Sequence, residues 1–337
     1  MKYSLLLFIC LAGHSLFAQA GTDNIYGSWV KTKLTYKNGA ELPDENILKY
    51  TYVKYTFESP DKMYISPYYY AIGGQYSFEI NNNELVLKSY AGSILNTIRI
   101  EELGPDKLVL LQEGRDGFDD PTSLIYYFTP EPTYQSSLKL TADDIYSVTA
   151  GDTIYKENPK VYASYKGGNF LGYLTEHIGH GEVMHNKSGH IVASFIVSKA
   201  GIADSLKILQ SISPEYDKYY TKAFKSARND WKPSTLNGKI VEVVMFQEIT
   251  YSTSDMMLPS YNNTSEANAS FKEKNYARAL YYYDEALKSI PTDKENLYNR
   301  GICKKMLGNL AGACEDWKKI KELGGSQADD LLAKYCH

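Results

Sequence analysis

His177, His180, His185 and His190 place four of the chain's six histidines within fourteen positions. Imidazoles so spaced bind Zn²⁺ or Cu²⁺ when a Cys or carboxylate completes the set. No Cys stands near them, and no carboxylate is well placed. His177 falls at the end of a predicted helix, His180 lies between Gly179 and Gly181, and His190 begins a predicted strand. Rings on such different local structures do not converge by default, so the expectation is no metal and no cofactor. Asp119-Asp120 and Asp143-Asp144 are adjacent pairs, and neighbouring residues in a strand or turn point apart. There is no Gly-x-Ser-x-Gly elbow, no P-loop and no His-Glu-x-x-His. The expectation is a protein that is not an enzyme.

Three other features do more than catalysis would. Cys303, Cys314 and Cys336 all fall within the last 35 residues, and an oxidising compartment would leave one disulfide and one thiol. Lys2, the apolar run Leu5–Ala12 and the small-x-small site Ala18-Gln19-Ala20 make residues 1–20 a secretory signal peptide. Cleavage is expected after Ala20, or after Ala18. The run is too short to span a bilayer, which takes about 20 apolar residues, and no later run is long enough. The expected location is therefore exported and periplasmic, with no transmembrane helix after cleavage. The 36 Lys+Arg against 40 Asp+Glu give a net charge of −4. This excludes a nucleic-acid binder that relies on a global basic field. Tyrosine is in excess, with 31 Tyr against 11 Phe and 3 Trp.

The 337 residues favour two or three domains, and three hydrophobic periods divide them. From Ile25 to Phe128, short alternating segments are separated by the turn signals Asn38-Gly39, Asn81-Asn82-Asn83 and Gly104-Pro105-Asp106. Tyr76, Phe78 and Ile80 alternate before the triple Asn, and Leu85 and Leu87 after it, giving each strand one buried face. Strands joined so tightly favour a meander closed into a barrel. Gly27-Ser28-Trp29 at its start resembles the Gly-x-Trp that opens lipocalins. That resemblance implies a lipocalin-like β-barrel over 21–130, with Trp29 as its floor. Tyr68, Tyr69 and Tyr70 could rim its mouth as a ligand site, or simply cover strand surfaces. Thr129-Pro130-Glu131-Pro132 ends the barrel, because two prolines cannot continue a ladder, and residues 131–151 read as a linker.

The second domain is expected over 152–252. A helix at Asn169–Ile178 is followed by a strand at His190–Ser198, a second strand carrying Leu206 and Ile208, and a helix opened by Ser213-Pro214. A long strand runs from Lys239 to Ile249. This order, with Gly189-His190-Ile191-Val192 and Trp231-Lys232-Pro233 before Asn237-Gly238, resembles the C-terminal domain of the energy transducer TonB. The chain departs from that family in having Gly179-His180-Gly181 where Tyr-Pro is usual, and in lacking a Pro-rich spacer and an uncleaved membrane helix. The resemblance implies the α+β fold and a binding mode, not energy transduction. The mode is strand addition, in which an extended segment of an outer-membrane transporter pairs with a free sheet edge. The candidate edge is the last strand, through Val241, Val243, Met245, Gln247 and Ile249.

The third segment, 262–337, contains a repeat. Ala267 recurs as Gly301, Tyr276 as Leu310, Ala279 as Ala313 and Tyr283 as Trp317, each 34 residues on. This resembles tetratricopeptide (TPR) helix pairs, with Gln327–Tyr335 as a capping helix. On that arrangement a Cys314–Cys336 disulfide would tie the cap to the last repeat, leaving Cys303 as a small buried residue. The fold class expected is thus multidomain: an all-β lipocalin-like barrel, an α+β TonB C-terminal-like domain and all-α TPR repeats. The function expected is an interaction protein of a Gram-negative cell envelope that binds protein or peptide partners. The alternative is a periplasmic carrier of a small apolar ligand held in the barrel.

Overall fold

The triple-Asn turn shows how locally the first unit is encoded. Asn82 and Asn83 both adopt the left-handed backbone (φ 50° and 65°). Two-residue hairpin turns need that conformation, and Asn tolerates it better than most residues. The turn pairs Asn81 with Glu84 and sets Phe78 opposite Leu87. The computed structural model describes residues 22–44, 46–89, 91–149, 151–178, 189–251 and 262–336. The expected signal peptide and its cleavage site lie outside the described residues.

Eight strands follow one another in space as in sequence: β1 (Gly27–Tyr36), β2 (Lys54–Glu58), β3 (Lys62–Ser66), β4 (Gly74–Asn81), β5 (Glu84–Lys88), β6 (Ile94–Leu103), β7 (Leu108–Gln112) and β8 (Leu124–Pro130). All neighbours are antiparallel, and β1 pairs with β8 to close the barrel. Closure removes both sheet edges. Trp29, Phe57, Met63, Phe78, Leu85, Leu108 and Phe128 are buried in a single core, as alternation requires. Ile25, in the turn before β1, joins that core and accepts the indole N–H of Trp29 at 2.7 Å.

Residues 131–151 are not a free linker. They form α1 (Glu131–Ser137), a 3-10 turn at Ala142–Asp144 and β9 (Ile145–Thr149). β9 returns as β10 (Asp152–Lys156), after which come β11 (Ser164–Tyr165) and α2 (Phe170–Ile178). Beyond them lie β12 (Gly189–Val197), β13 (Ala203–Gln210) and α3 (Pro214–Ser226). Ser213 caps α3, accepting from the Tyr216 N–H at 3.2 Å, with Pro214 at the first position. β14 (Trp231–Lys232) pairs with β11, and β15 (Ser234–Leu236) folds back on β16 (Lys239–Tyr251). The main sheet runs β13-β12-β16-β10-β9. One face packs on α2 and α3 through Ile191, Ala193, Phe195, Val243 and Met245. Trp231 lies 4.8 Å from Phe170 and 5.1 Å from Phe195, ring to ring, at the centre of that layer.

The opposite face is covered by helices. α4 (Asn263–Lys272) and α5 (Tyr276–Ser289) form one pair, α6 (Lys294–Met306) and α7 (Leu310–Glu322) a second, and α8 (Asp329–Tyr335) ends the described chain. Asn275 and Asn309, 34 residues apart, cap the second helix of each pair by the same side-chain bond. The small residues Ala267, Ala279 and Ala313 are fully buried where the helices meet. Val192, Leu209 and Phe246 of the sheet share a core with Tyr281 and Tyr282 of α5. β12 is therefore buried on both faces.

Charge also fixes the helices to the sheet. Arg300 reaches Asp284 at 3.0 Å, Asp316 at 2.5 Å and Asp143 at 3.2 Å. Lys304, 1% exposed, pairs with Asp316 at 2.8 Å and with Asp143. Lys156 of β10 holds Asp284 at 2.8 Å. Three cations meet three carboxylates, so the buried cluster is neutral. Buried charges survive only when paired in this way.

Candidate functional site

A sheet recognises an extended chain only where a strand has unused hydrogen-bonding groups, so the position of each strand decides the site. β16 does not offer such an edge. It pairs antiparallel with β12 from Gly189↔Tyr251 to Val197↔Val243. On its other side β10 pairs in parallel, from Ile154↔Glu242 to Lys156↔Val244, and β15 covers Lys239–Val241. The Phe246 N–H donates to the Glu157 carboxylate at 2.5 Å. Val243, Met245, Gln247 and Ile249 are buried, and Val241 packs on the same core. These five residues belong to the interior. The cause is β10: the strand that follows the expected linker lies beside β16 in the sheet and occupies its side over Glu242–Val244.

The outer strands are β9 at one end and β13 at the other. β9 is five residues long and presents Val148, 69% exposed, to solvent. β13 is eight residues long and borders a groove of about 600 Å³ shared with α3. Leu206, Ile208, Thr221 and Phe224 line it, with Lys225 and Arg228 on the rim. Arg228 pairs with Asp204 at 3.1 Å, and Lys225 is exposed. The strand entrance is closed, since the Ala203 N–H donates to the Arg228 carbonyl at 2.7 Å. Ser205 follows in left-handed backbone (φ 56°), within an irregular register against β12. A bulge of this kind twists an edge and limits how long a strand can be added.

The tyrosines expected at a barrel rim meet the rest of the chain instead. The Tyr69 ring lies 5.3 Å from Tyr162 and 6.1 Å from Tyr52. Its carbonyl accepts from Lys54 at 2.8 Å, and Lys54 also pairs with Glu131 of α1 at 3.3 Å. Tyr70 stacks on Tyr68 at 5.4 Å, and of the three only Tyr68, 52% exposed, faces solvent broadly. Trp29 packs inside the barrel as a floor residue would, alongside the Phe57–Phe78 contact at 5.2 Å and the Tyr55–Phe128 contact at 4.8 Å.

The histidines are not brought together as far as the structure describes them. The His177 ring stacks on Tyr173 at 3.9 Å and its Nδ1 lies 2.8 Å from the Tyr173 carbonyl. His190 is buried against Thr250 at 2.7 Å and Glu248 at 3.3 Å. His180 and His185 lie outside the described residues. Among the described residues no group of three or more His, Cys, Asp or Glu is placed to hold a metal ion. Cys314 and Cys336 are joined in a disulfide, and Cys303 is a buried free thiol whose pKa burial pushes up to about 12. Among the described residues no helix is long and apolar enough to cross a membrane.

Sequence reasoning missed the β13 groove, although a signal was present. Val243-Val244-Met245-Phe246 is a continuous apolar run, the mark of a strand buried on both faces. Ala203-Asp204-Ser205-Leu206-Lys207-Ile208 breaks its apolar positions with Asp204, Ser205 and Lys207, and charge within a strand marks an edge. No protein-family model matches the chain, and no curated protein matches it closely enough to show kinship.

Proposed function

We propose that this is a non-enzymatic interaction protein of the cell envelope, built from a lipocalin-like barrel, a TonB C-terminal-like sheet and TPR-like helix pairs. It binds an extended segment of a partner protein along β13 beyond Ser205, over Leu206–Gln210. The single observation that carries this reading is the groove between β13 and α3, which sets an outer strand beside an apolar floor and a cationic rim. Backbone bonds to β13 would supply affinity, and alternate side chains would enter over Leu206, Ile208 and Phe224. Lys225 favours carboxylates at the remaining positions, while Arg228 is already paired with Asp204 of the same groove. The occupant is therefore a short peptide in which apolar and acidic residues alternate. An outer-membrane transporter segment is one source of such a peptide. The filled barrel core supports interaction over ligand carriage, because a carrier needs an open interior of several hundred Å³. The disulfide and the leader-like first twenty residues support export to the periplasm.

Fluorescence anisotropy on the full chain tests the reading with three labelled nine-residue peptides. One alternates Val and Glu, one alternates Val and Lys, and the third is the Val/Glu peptide N-methylated at alternate residues. The expected result is saturable binding of the first alone, weakened about tenfold, or ~1.4 kcal/mol, by Lys225→Glu. Equal binding of the N-methylated peptide removes strand addition. Equal binding of the Val/Lys peptide removes the acidic partner.

A further inference from the structure

The barrel, the main sheet and the helix pairs converge on one carboxylate that none of the roles above uses. Glu157 follows β10 directly, and its backbone N–H donates to the Val244 carbonyl at 3.0 Å. Its Oε1 accepts the Phe246 N–H at 2.5 Å. Its Oε2 is shut off from solvent, and the Tyr69 hydroxyl is placed to donate to the carboxyl. Charged and titratable groups reach it from each surrounding element. Tyr69 and Tyr70 face it from the barrel loop. Lys288 and Glu285 face it from α5. Glu248 of β16 lies close enough to act on Tyr70. Lys288 is the one cation among these groups, and it is already paired with Glu285 at 2.5 Å.

We propose that Glu157 is a proton-controlled lock on the three-way junction, holding barrel, sheet and helices together when protonated and loosening them when ionised. A neutral carboxyl keeps the Phe246 bond at Oε1 and turns Oε2 into an O–H donor facing Tyr69. An ionised carboxylate instead places a charge in a site closed to water, where burial outweighs the Phe246 and Tyr69 hydrogen bonds and Glu285 repels it. A charge buried with so few donors is costly, and opening the junction to water relieves that cost. Burial pushes the Glu157 carboxyl up to about 7, above the value an exposed glutamate would have once the junction opened. The closed junction thus holds a proton that the open one releases. Raising the pH through 7 favours opening, and mild acid favours closure.

Hydrogen exchange on the full chain, corrected for the intrinsic pH dependence of exchange, tests this. Amides of residues 68–70, 244–248 and 284–288 should lose about tenfold in protection between pH 6 and pH 8, while the barrel strands β4 to β6 do not change. Glu157→Gln keeps the shape without the charge and should remain protected at both pH values. Equal wild-type protection at pH 6 and pH 8 overturns the proposal, as does a Glu157→Gln variant that loses protection as the wild type does. Should that variant fail to fold, carbon-13 titration of the Glu157 carboxyl in the wild type decides. A midpoint near 7 supports the lock, and a midpoint near 4 ends it.

Discussion

Gly301 and Trp317 share one space: a Cβ on Gly301 would overlap the indole Nε1 and lie 2.9 Å from Cδ1. The equivalent positions one repeat earlier are Ala267 and Tyr283, both fully buried. A larger ring in the second pair goes with the loss of one methyl group opposite it. Two effects oppose each other in Gly301→Ala. Helix propensity favours Ala by about 1 kcal/mol, whereas overpacking a close-packed core costs about 1–3 kcal/mol. The overlap is with a fully buried ring that has nowhere to go, so the net effect should be destabilising. Urea denaturation should show Gly301→Ala lowering the midpoint, and the double variant Gly301→Ala with Trp317→Tyr recovering part of the loss. A single variant more stable than the wild type would mean that the ring can move.

The disulfide closes a loop of 22 positions between α7 and the end of α8. Loop closure of that size is worth about 3 kcal/mol. Cys314→Ser with Cys336→Ser should therefore detach α8 first, since Trp317 and Tyr335, 6.2 Å apart, otherwise pack across the same contact. Mass mapping of the chain without residues 1–20 gives a separate check. No thiol should alkylate in the native state, and one, Cys303, should do so after denaturation without reductant.

Much of this architecture could be read from periods and turns, because those signals are local. The Asn81–Asn83 turn, the Ser213-Pro214 start and the 34-residue repeat each depend on neighbours in sequence. What could not be read was which strands lie side by side. β10 reaches β16 across more than eighty residues and pairs in parallel, and no turn residue announces such a pairing. The same holds for Tyr281–Tyr283, which as consecutive helical residues point in three directions and carry no sign of what covers each. Their hydroxyls bond Glu248, Gln210 and Asn268, which places the stripe against the sheet and within the helix pair. Glu157 gave no signal, since its position depends on three segments meeting.

The neutral ion cluster gives a pH prediction of opposite sign to that of Glu157. Burial alone would raise the Asp284 carboxyl, but Lys156 and Arg300 hold it well below the usual carboxylate range. Its contribution is present above the unfolded value, about 3.9, and is lost as pH falls toward the lower folded value. Arg300→Met should cost about 3–5 kcal/mol, because it leaves three carboxylates with two cations, Lys156 and Lys304, and so one uncompensated buried negative charge. Thermal melts from pH 7 to pH 3 should show the deficit shrinking at the acid end, where protonation relieves the stranded carboxylates. A deficit that stays constant over that range would mean that Arg300 acts through packing alone.

The filled barrel makes the last prediction. Phe57 is buried between Tyr55 and Phe78, with ring centroids 6.4 Å and 5.2 Å away, and Met63 lies in the same core. Rings held edge-on at these distances occupy this part of the barrel interior, as close packing requires. Removing the Phe57 ring should cost about 3–5 kcal/mol and leave a dry, apolar hole. An apolar probe such as benzene should then raise the melting temperature of Phe57→Ala and leave that of the wild type unchanged. If benzene stabilises the wild type as well, the barrel already holds usable space and ligand carriage regains its footing. If it stabilises neither, the strands have collapsed around the missing ring and the barrel wall is softer than its closed hydrogen bonding implies.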